Sequence, residues 1–391
     1  MYPTLVVLCC VSVALASSWS ANITHPEGVS DSQFGHAVGI SGDWAVITGI
    51  YANGLEGAGY MYHRGSSGVF EMVCELEHDS RFDRVGYTAA IDGDWVVMDS
   101  LNKDGRQNTV LNLYNRQNGD EWVLMKKLSP YSSYDFVSVA MDAGLLVLGW
   151  CQAGNMHGQA DVYRLDGANG YVYETSLVPP QYKNDPSYRN GDGRWVAIAG
   201  NGSRVVTGST DEGQVNVFEC DESSGDRVWS HVQSISARYW NSDTKVAISH
   251  DGHTIAAGLP EDGDNRQGSV KIYSDVGKSG RFKLSQTLTG KFQDNHWGYY
   301  GDSIVFSDDD EGKLLAVGAD FSEVQYIYQR DAATGQYSLV DYGRTYGDTG
   351  LGAWADISGS TLLSGMSTLQ DDTGSDYTDG MVGVFDLTHL V

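Results

Sequence analysis

The side chains of this 391-residue chain that could do chemistry are mostly carboxylates. The densest run is Asp308-Asp309-Asp310-Glu311-Gly312, where carboxylates beside a permissive glycine suit a hard cation that takes six or more oxygen ligands. Asp308 and Asp310 are the candidate calcium ligands; no cofactor is required. Glu261-Asp262-Gly263-Asp264 and the group Asp371, Asp372, Asp376 and Asp379 are sparser acidic loops. Among 51 Asp and Glu residues, carboxylate pairs for sugar cleavage are available, but their separation is set by the fold. No G-x-S-x-G elbow, H-E-x-x-H pair or phosphate-binding glycine loop occurs. The second group is aromatic: Tyr182, Tyr188, Tyr239, Trp240, Trp297 and Tyr299 lie in loops rich in Asp, Asn and Arg. Rings that bury large area beside polar groups that fix orientation suit protein or glycan recognition, so these six are the candidate ligand-binding residues.

The elements that must position these residues come from a repeat. "FGHAVGISGDWAVITG", Phe34 to Gly49, recurs in altered form at Val85, Asp135, Arg194, Asp243, Tyr300 and Leu351. The residue closing each second apolar run is Gly49, Ser100, Gly149, Gly208, Gly258, Gly318 or Gly365, a period of 47 to 60 residues. A regular period of this size marks an array of supersecondary units. Each copy alternates β-branched and aromatic runs with Gly-Asp, Asn-Gly and Asp-Gly turns, which predicts four strands joined by hairpins. In the first copy these are roughly 36–41, 45–49, 59–63 and 69–76. One four-stranded antiparallel sheet per repeat is a propeller blade, so an all-β, seven-bladed β-propeller is expected. The seventh copy ends after its third strand, and Trp19–His25 resembles a fourth. The N-terminal strand is therefore predicted to complete the last blade and close the ring.

Composition narrows the partners. A formal net charge of −26 repels phosphate backbones and excludes nucleic acid. The apolar run Leu5 to Ala16 with Ala14-x-Ala16 is expected to be a secretory signal over residues 1–16, leaving 17–391 as a single propeller. No later stretch approaches the ~20 apolar residues of a membrane span. Asn22-Ile23-Thr24 and Asn201-Gly202-Ser203 are glycosylation sequons suited to a secreted chain. Cys74, Cys151 and Cys220 follow the signal; their odd number leaves one thiol free or available to another chain, and the oligomeric state open.

The pattern Phe34-Gly35 through Ile40-Ser41-Gly42-Asp43 to Gly49 resembles the FG-GAP repeat of integrin α-subunit propellers and related extracellular proteins. Val85-Gly86, Tyr300-Gly301 and Leu351-Gly352 are weaker copies of the first pair, and Gly258-Leu259-Pro260 and Gly318-Ala319-Asp320 of the second half. The resemblance implies ligand binding on a loop face and, in integrins, calcium in the first hairpin turn; most of those turns are too short here to surround an ion. It leads to the expectation of a secreted, non-catalytic adhesion or binding protein whose partner is an extracellular protein or glycan. Two alternatives stand beside it: a lectin-like propeller, and an extracellular carbohydrate-active hydrolase or lyase with carboxylates at the ring mouth. Ser249 to Thr254, "SHDGHT", resembles the Asp-box turn of sialidases but is one residue short and lacks its tryptophan, so it is expected to be a plain hairpin turn.

Overall fold

The computed structural model describes residues 18–26, 32–78, 82–83, 85–102, 109–129, 137–151, 157–167, 170–180, 191–210, 213–223, 225–237, 243–263, 265–277, 279–291, 298–309, 311–345, 349–367 and 380–391. Within them lie seven antiparallel sheets arranged as the blades of a propeller. The first blade comprises Phe34–Ser41, Trp44–Gly49, Ala58–Arg64 and Phe70–Glu75, in that order from the ring axis outward. The inner strands of the next five blades are Ala89–Asp92, Val137–Asp142, Trp195–Ile198, Lys245–Ile248 and Ile304–Phe306, and that of the seventh is Leu351–Ser358. The second blade adds a short strand, Phe82–Asp83, beside the far end of Trp95–Asn102.

Burial explains the sequence pattern. The second strands Trp44–Gly49, Leu145–Trp150, Thr254–Leu259 and Leu314–Ala319 are buried at every position, because neighbouring blades cover both faces. Both-face burial demands the continuous apolar runs that mark the repeat. Outer strands such as Phe70–Glu75 and Lys283–Leu288 are largely exposed. The core is a series of clusters between blades; Phe34, Tyr60 and Tyr62, for example, pack with Leu363, Val382 and Val384 of the seventh blade.

The repeat glycines are contact points between blades. A Cβ at Gly208, Gly318 or Gly365 would overlap the backbone carbonyl oxygen of Thr244, Gly352 or Gly35 in the next blade. The glycine of the Phe-Gly pair has a left-handed backbone, with φ of +89° at Gly35 and +94° at Gly352, which other residues adopt at a cost.

The ring closes as expected. Trp19–Thr24 pairs antiparallel with Met381–Asp386, Asn22 opposite Gly383. Trp19 packs on Phe385 with ring centroids 5.2 Å apart, and the buried His25 Nε2 and Tyr60 Oη, 2.9 Å apart, tie this segment to the first blade. No helix among the described residues is long and apolar enough to cross a membrane.

Candidate active site at the ring mouth

The inner strands enclose a central channel of about 500 Å³ with aliphatic walls, among them Val38, Ile91, Val139, Ile198, Ile248 and Ile357. Its two mouths differ. At the first, the hairpin turns joining inner and second strands bring together Asp92, Asp142 and Asp308 with His250, and Asp356 lies one layer inside.

These carboxylates act chiefly as latches. Asp92 accepts the Gly144 N–H at 3.2 Å, and Asp356 accepts the Ile40 N–H at 2.8 Å. Asp308 accepts the Ser358 hydroxyl and the Gly359 N–H, both at 3.0 Å. Ser41 and Ser358 repeat the device, accepting the Gly93 and Gly42 N–H groups at 3.0 Å. Each bond ties one blade to the next, and most of them satisfy a backbone N–H of the neighbouring hairpin. Burial pushes the Asp356 carboxyl up to about 7, and Asp142 and Asp308 add to the shift while the N–H groups of Ile40 and Ile357 oppose it.

The opposite mouth, where inner strands begin and blade-to-blade loops arrive, carries a different set. Trp195 opens the inner strand of the fourth blade and meets Trp354 of the seventh, ring centroids 5.6 Å apart. These blades are not neighbours in a ring of seven, so the pair spans the mouth. His36 packs against Trp354 at 5.9 Å and against Tyr87 at 5.0 Å; burial lowers its imidazole to about 4, so it is a neutral part of this wall. Lys245, first residue of the fifth blade's inner strand, places Nζ 3.4 Å from the Trp195 ring centroid and 3.4 Å from Asp302 Oδ1. Such a cation over an indole face is held by the ring quadrupole.

Asp302 sits just before Ile304–Phe306, its N–H bonded to the Tyr299 carbonyl at 3.2 Å. Asp320 follows Leu314–Ala319 in the same blade, where its Oδ1 accepts the Phe321 N–H at 2.7 Å. Burial raises the Asp320 carboxyl strongly and the charge of Asp302 raises it further, against the opposing effects of the Phe321 N–H and Lys245. The raised Asp320 carboxyl thus lies beside Asp302, which faces Lys245. The nearby Arg194 is itself paired with Asp243 at 3.4 Å. Lys245 and Arg194 are thus both engaged by carboxylates.

The sequence-predicted residues distribute unevenly. Tyr182, Tyr188, Tyr239, Trp240, Trp297 and Asp310 lie outside the described residues. Tyr299 is half-buried, stacked on Phe321 at 4.7 Å and 25°, and its hydroxyl accepts from Arg266 Nη1 at 2.7 Å. Asp308 is exposed, but its oxygens serve the latch to the seventh blade. Among the described residues, no three His, Cys, Asp or Glu side chains gather as a metal site would need. Asn22 and Asn201 are both exposed. Cys74 and Cys220 are free thiols and Cys151 is buried. Ser249 to Thr254 is a hairpin turn in which Ser249 Oγ accepts the Thr254 N–H at 3.0 Å.

Sequence reasoning missed Lys245, Asp302, Asp320, Trp195 and Trp354. One signal for Asp320 was present: it stands where the repeat's Gly-Ala-Pro has proline.

No family model matches the sequence, and no curated protein does. Solved structures do. A β-propeller domain of Cps50 (Swd1) from Myceliophteria thermophila is 12% identical, with a TM-score of 0.59 over 95% of this chain and 99% of its own. The periplasmic gluconolactonase PpgL of Pseudomonas aeruginosa is 13% identical, with a TM-score of 0.55 over 85% and 96%. A candidate 6-phosphogluconolactonase from Bacteroides uniformis is 11% identical, with a TM-score of 0.59 over 78% and 84%. At these identities the likeness establishes the propeller fold. The expectation of a non-catalytic adhesion protein is corrected here: two of these neighbours carry lactonase names, none carries an adhesion or integrin name, and the loop-side mouth holds a carboxylate pair in which burial raises Asp320.

Proposed function

We propose that this propeller is a carbohydrate-active hydrolase acting on an uncharged sugar substrate, a lactone or a glycoside, at the loop-side mouth. The observation that carries the proposal is the Asp302–Asp320 pair beside Lys245, with the Asp320 carboxyl raised by burial and by the charge of Asp302. A carboxyl raised by burial beside a second carboxylate that faces a lysine offers an acid and a base to one reaction. In this scheme Asp302, its charge balanced by Lys245, takes a proton from the attacking water. Asp320 delivers its proton to the departing sugar oxygen, and the Trp195–Trp354 pair forms an aromatic floor beside them. A sugar-acid product would be anionic and expelled from a surface of net charge −26.

The lactonase names of two neighbours support this class of reaction, and among the described residues Lys245 and Arg194 are each paired with a carboxylate. Kinship with the FG-GAP propellers belongs to the same proposal, supported by left-handed glycines at Gly35, Gly86, Gly301 and Gly352. Export is part of it too, supported by the apolar run Leu5 to Ala16 and by one neighbour's periplasmic name. The test is hydrolysis of δ-gluconolactone and of a set of p-nitrophenyl glycosides by the full chain, compared with Asp302→Asn and Asp320→Asn. Turnover lost in both variants with unchanged melting supports the proposal; activity that survives both refutes it.

A further inference from the structure

Eight non-glycine residues among those described have positive φ, and four of them gather beside Asp320. Asn265 and Arg266, at +62° and +51°, form the loop before the third strand of the fifth blade, Ser269–Ser274. Tyr299, at +48°, precedes the inner strand of the sixth blade, and Glu323, at +54°, closes the turn after Asp320. Left-handed backbone is costly for side chains as bulky as tyrosine and arginine, and such strain persists where the surroundings over-determine it.

Here the strain presents two rings. Phe321 remains 49% exposed although it is a large apolar side chain in a short turn. One of its faces is stacked on Tyr299, whose hydroxyl is pinned by Arg266. Arg266 is in turn 3.8 Å from Glu261. The turn itself is fixed by the Phe321 N–H on Asp320 and the Glu323 N–H on the Asp320 carbonyl at 3.0 Å. A rigid, exposed aromatic face beside an arginine and a carboxylate is complementary to a sugar ring, which offers an apolar C–H face to the aromatic and hydroxyls to its polar neighbours.

We infer that Phe321, backed by Tyr299 and flanked by Arg266 and Glu261, is a subsite for a second sugar unit, so that the substrate is an oligosaccharide rather than a single sugar. The inference rests on the proposed hydrolase reading, because Phe321 is covalently next to Asp320 and a sugar stacked there continues from the reacting unit. It adds what the carboxylate pair cannot say: the size of the substrate and the side of the mouth along which it runs.

The experiment measures binding separately from turnover. Cellohexaose, laminarihexaose, maltohexaose and mannohexaose are titrated calorimetrically into the full chain carrying Asp320→Asn, alone and combined with Phe321→Ala, Phe321→Tyr or Arg266→Gln. At least one hexasaccharide is expected to bind. Phe321→Ala should weaken it about tenfold or more, Phe321→Tyr should restore it, and Arg266→Gln should weaken it to a smaller extent by freeing Tyr299. Absence of binding by all four, or binding indifferent to Phe321→Ala, overturns the subsite. Hydrolysis of δ-gluconolactone by the otherwise unchanged chain separates the two proposals. Turnover without hexasaccharide binding leaves the hydrolase and removes the subsite; Phe321-dependent binding without turnover of any substrate leaves the subsite and removes the hydrolase.

Discussion

Replacing Gly318 by alanine tests why the repeat ends its second strand on glycine. A Cβ there would overlap the Gly352 carbonyl oxygen and lie 2.7 Å from the Gly352 carbonyl carbon, so the obstacle is the backbone of the seventh blade. The methyl would also meet Ser303 Oγ, which can turn aside, but the Gly352 backbone cannot, so the sixth and seventh blades must part to admit it. Overpacking of this kind costs roughly 1–3 kcal/mol. The displacement also strains three hydrogen bonds: Gly318 N–H to the Ser303 carbonyl and Gly301 N–H to the Gly318 carbonyl, both 2.9 Å, and Ser303 hydroxyl to the Gly352 carbonyl, 2.7 Å. Each is worth about 1 kcal/mol net. If about two of the three are lost, the total is about 3–5 kcal/mol, a large share of an ordinary domain's stability. With an unfolding entropy of about 2 cal/mol/K per residue, that lowers the melting temperature by about 4–6 °C. Gly359→Ala is the control. Its φ is +55° and no atom lies within 4 Å of the added methyl, so only the backbone penalty of about 1–2 kcal/mol applies. Thermal and denaturant unfolding of both variants decides the matter. If Gly318→Ala loses no more than Gly359→Ala, contact between blades is not what selects the glycine.

Asp320→Asn should lower turnover by about a hundredfold or more while preserving the Phe321 N–H contact and the melting temperature; a change within twofold would remove Asp320 from the chemistry. Asp99 and Asp192 are fully buried, and burial raises them to about 7 and about 6. Between about pH 4 and 7 the folded chain therefore holds protons that the unfolded chain has released, so these groups stabilise the fold at low pH and lose that contribution as pH rises. The loss is on the order of 3 kcal/mol each. Denaturant midpoints at pH 5 and pH 8 should show it, and Asp99→Asn, which keeps an acceptor for the Thr88 N–H, should flatten the slope; an unchanged slope contradicts the assignment. Deleting Ser18 to Thr24 exposes the Met381–Asp386 edge, so the melting temperature should fall and larger species should appear on size-exclusion chromatography. A deletion that melts and elutes like the parent would show that closure contributes no stability.

The first blade shows how much was legible in the chain. Its strands were expected near 36–41, 45–49, 59–63 and 69–76 and are found at Phe34–Ser41, Trp44–Gly49, Ala58–Arg64 and Phe70–Glu75. The second strand was the clearest because both faces are buried, which leaves an unbroken apolar run. The site was much less legible. Of the six aromatic candidates only Tyr299 lies among the described residues, and its ring backs Phe321 instead of standing alone. Asp308 had the composition of an ion ligand, but its partner is the Gly359 N–H of the following blade. Carboxylate density along a chain says nothing about which backbone donors a neighbouring turn will offer.

The sequence by itself determined the number of blades, the strand order within each and the completion of the last blade by Trp19–Thr24. These follow from side-chain patterns that burial imposes locally and that recur with every repeat. Only the tertiary structure decided that Trp195 meets Trp354, that Lys245 lies between Trp195 and Asp302, and that burial and Asp302 raise the Asp320 carboxyl beside them. Those residues come from four different blades, and each is of a type that most other copies do not keep at its repeat position. Their meeting is set by the diameter and closure of the ring, quantities that leave no period in the sequence.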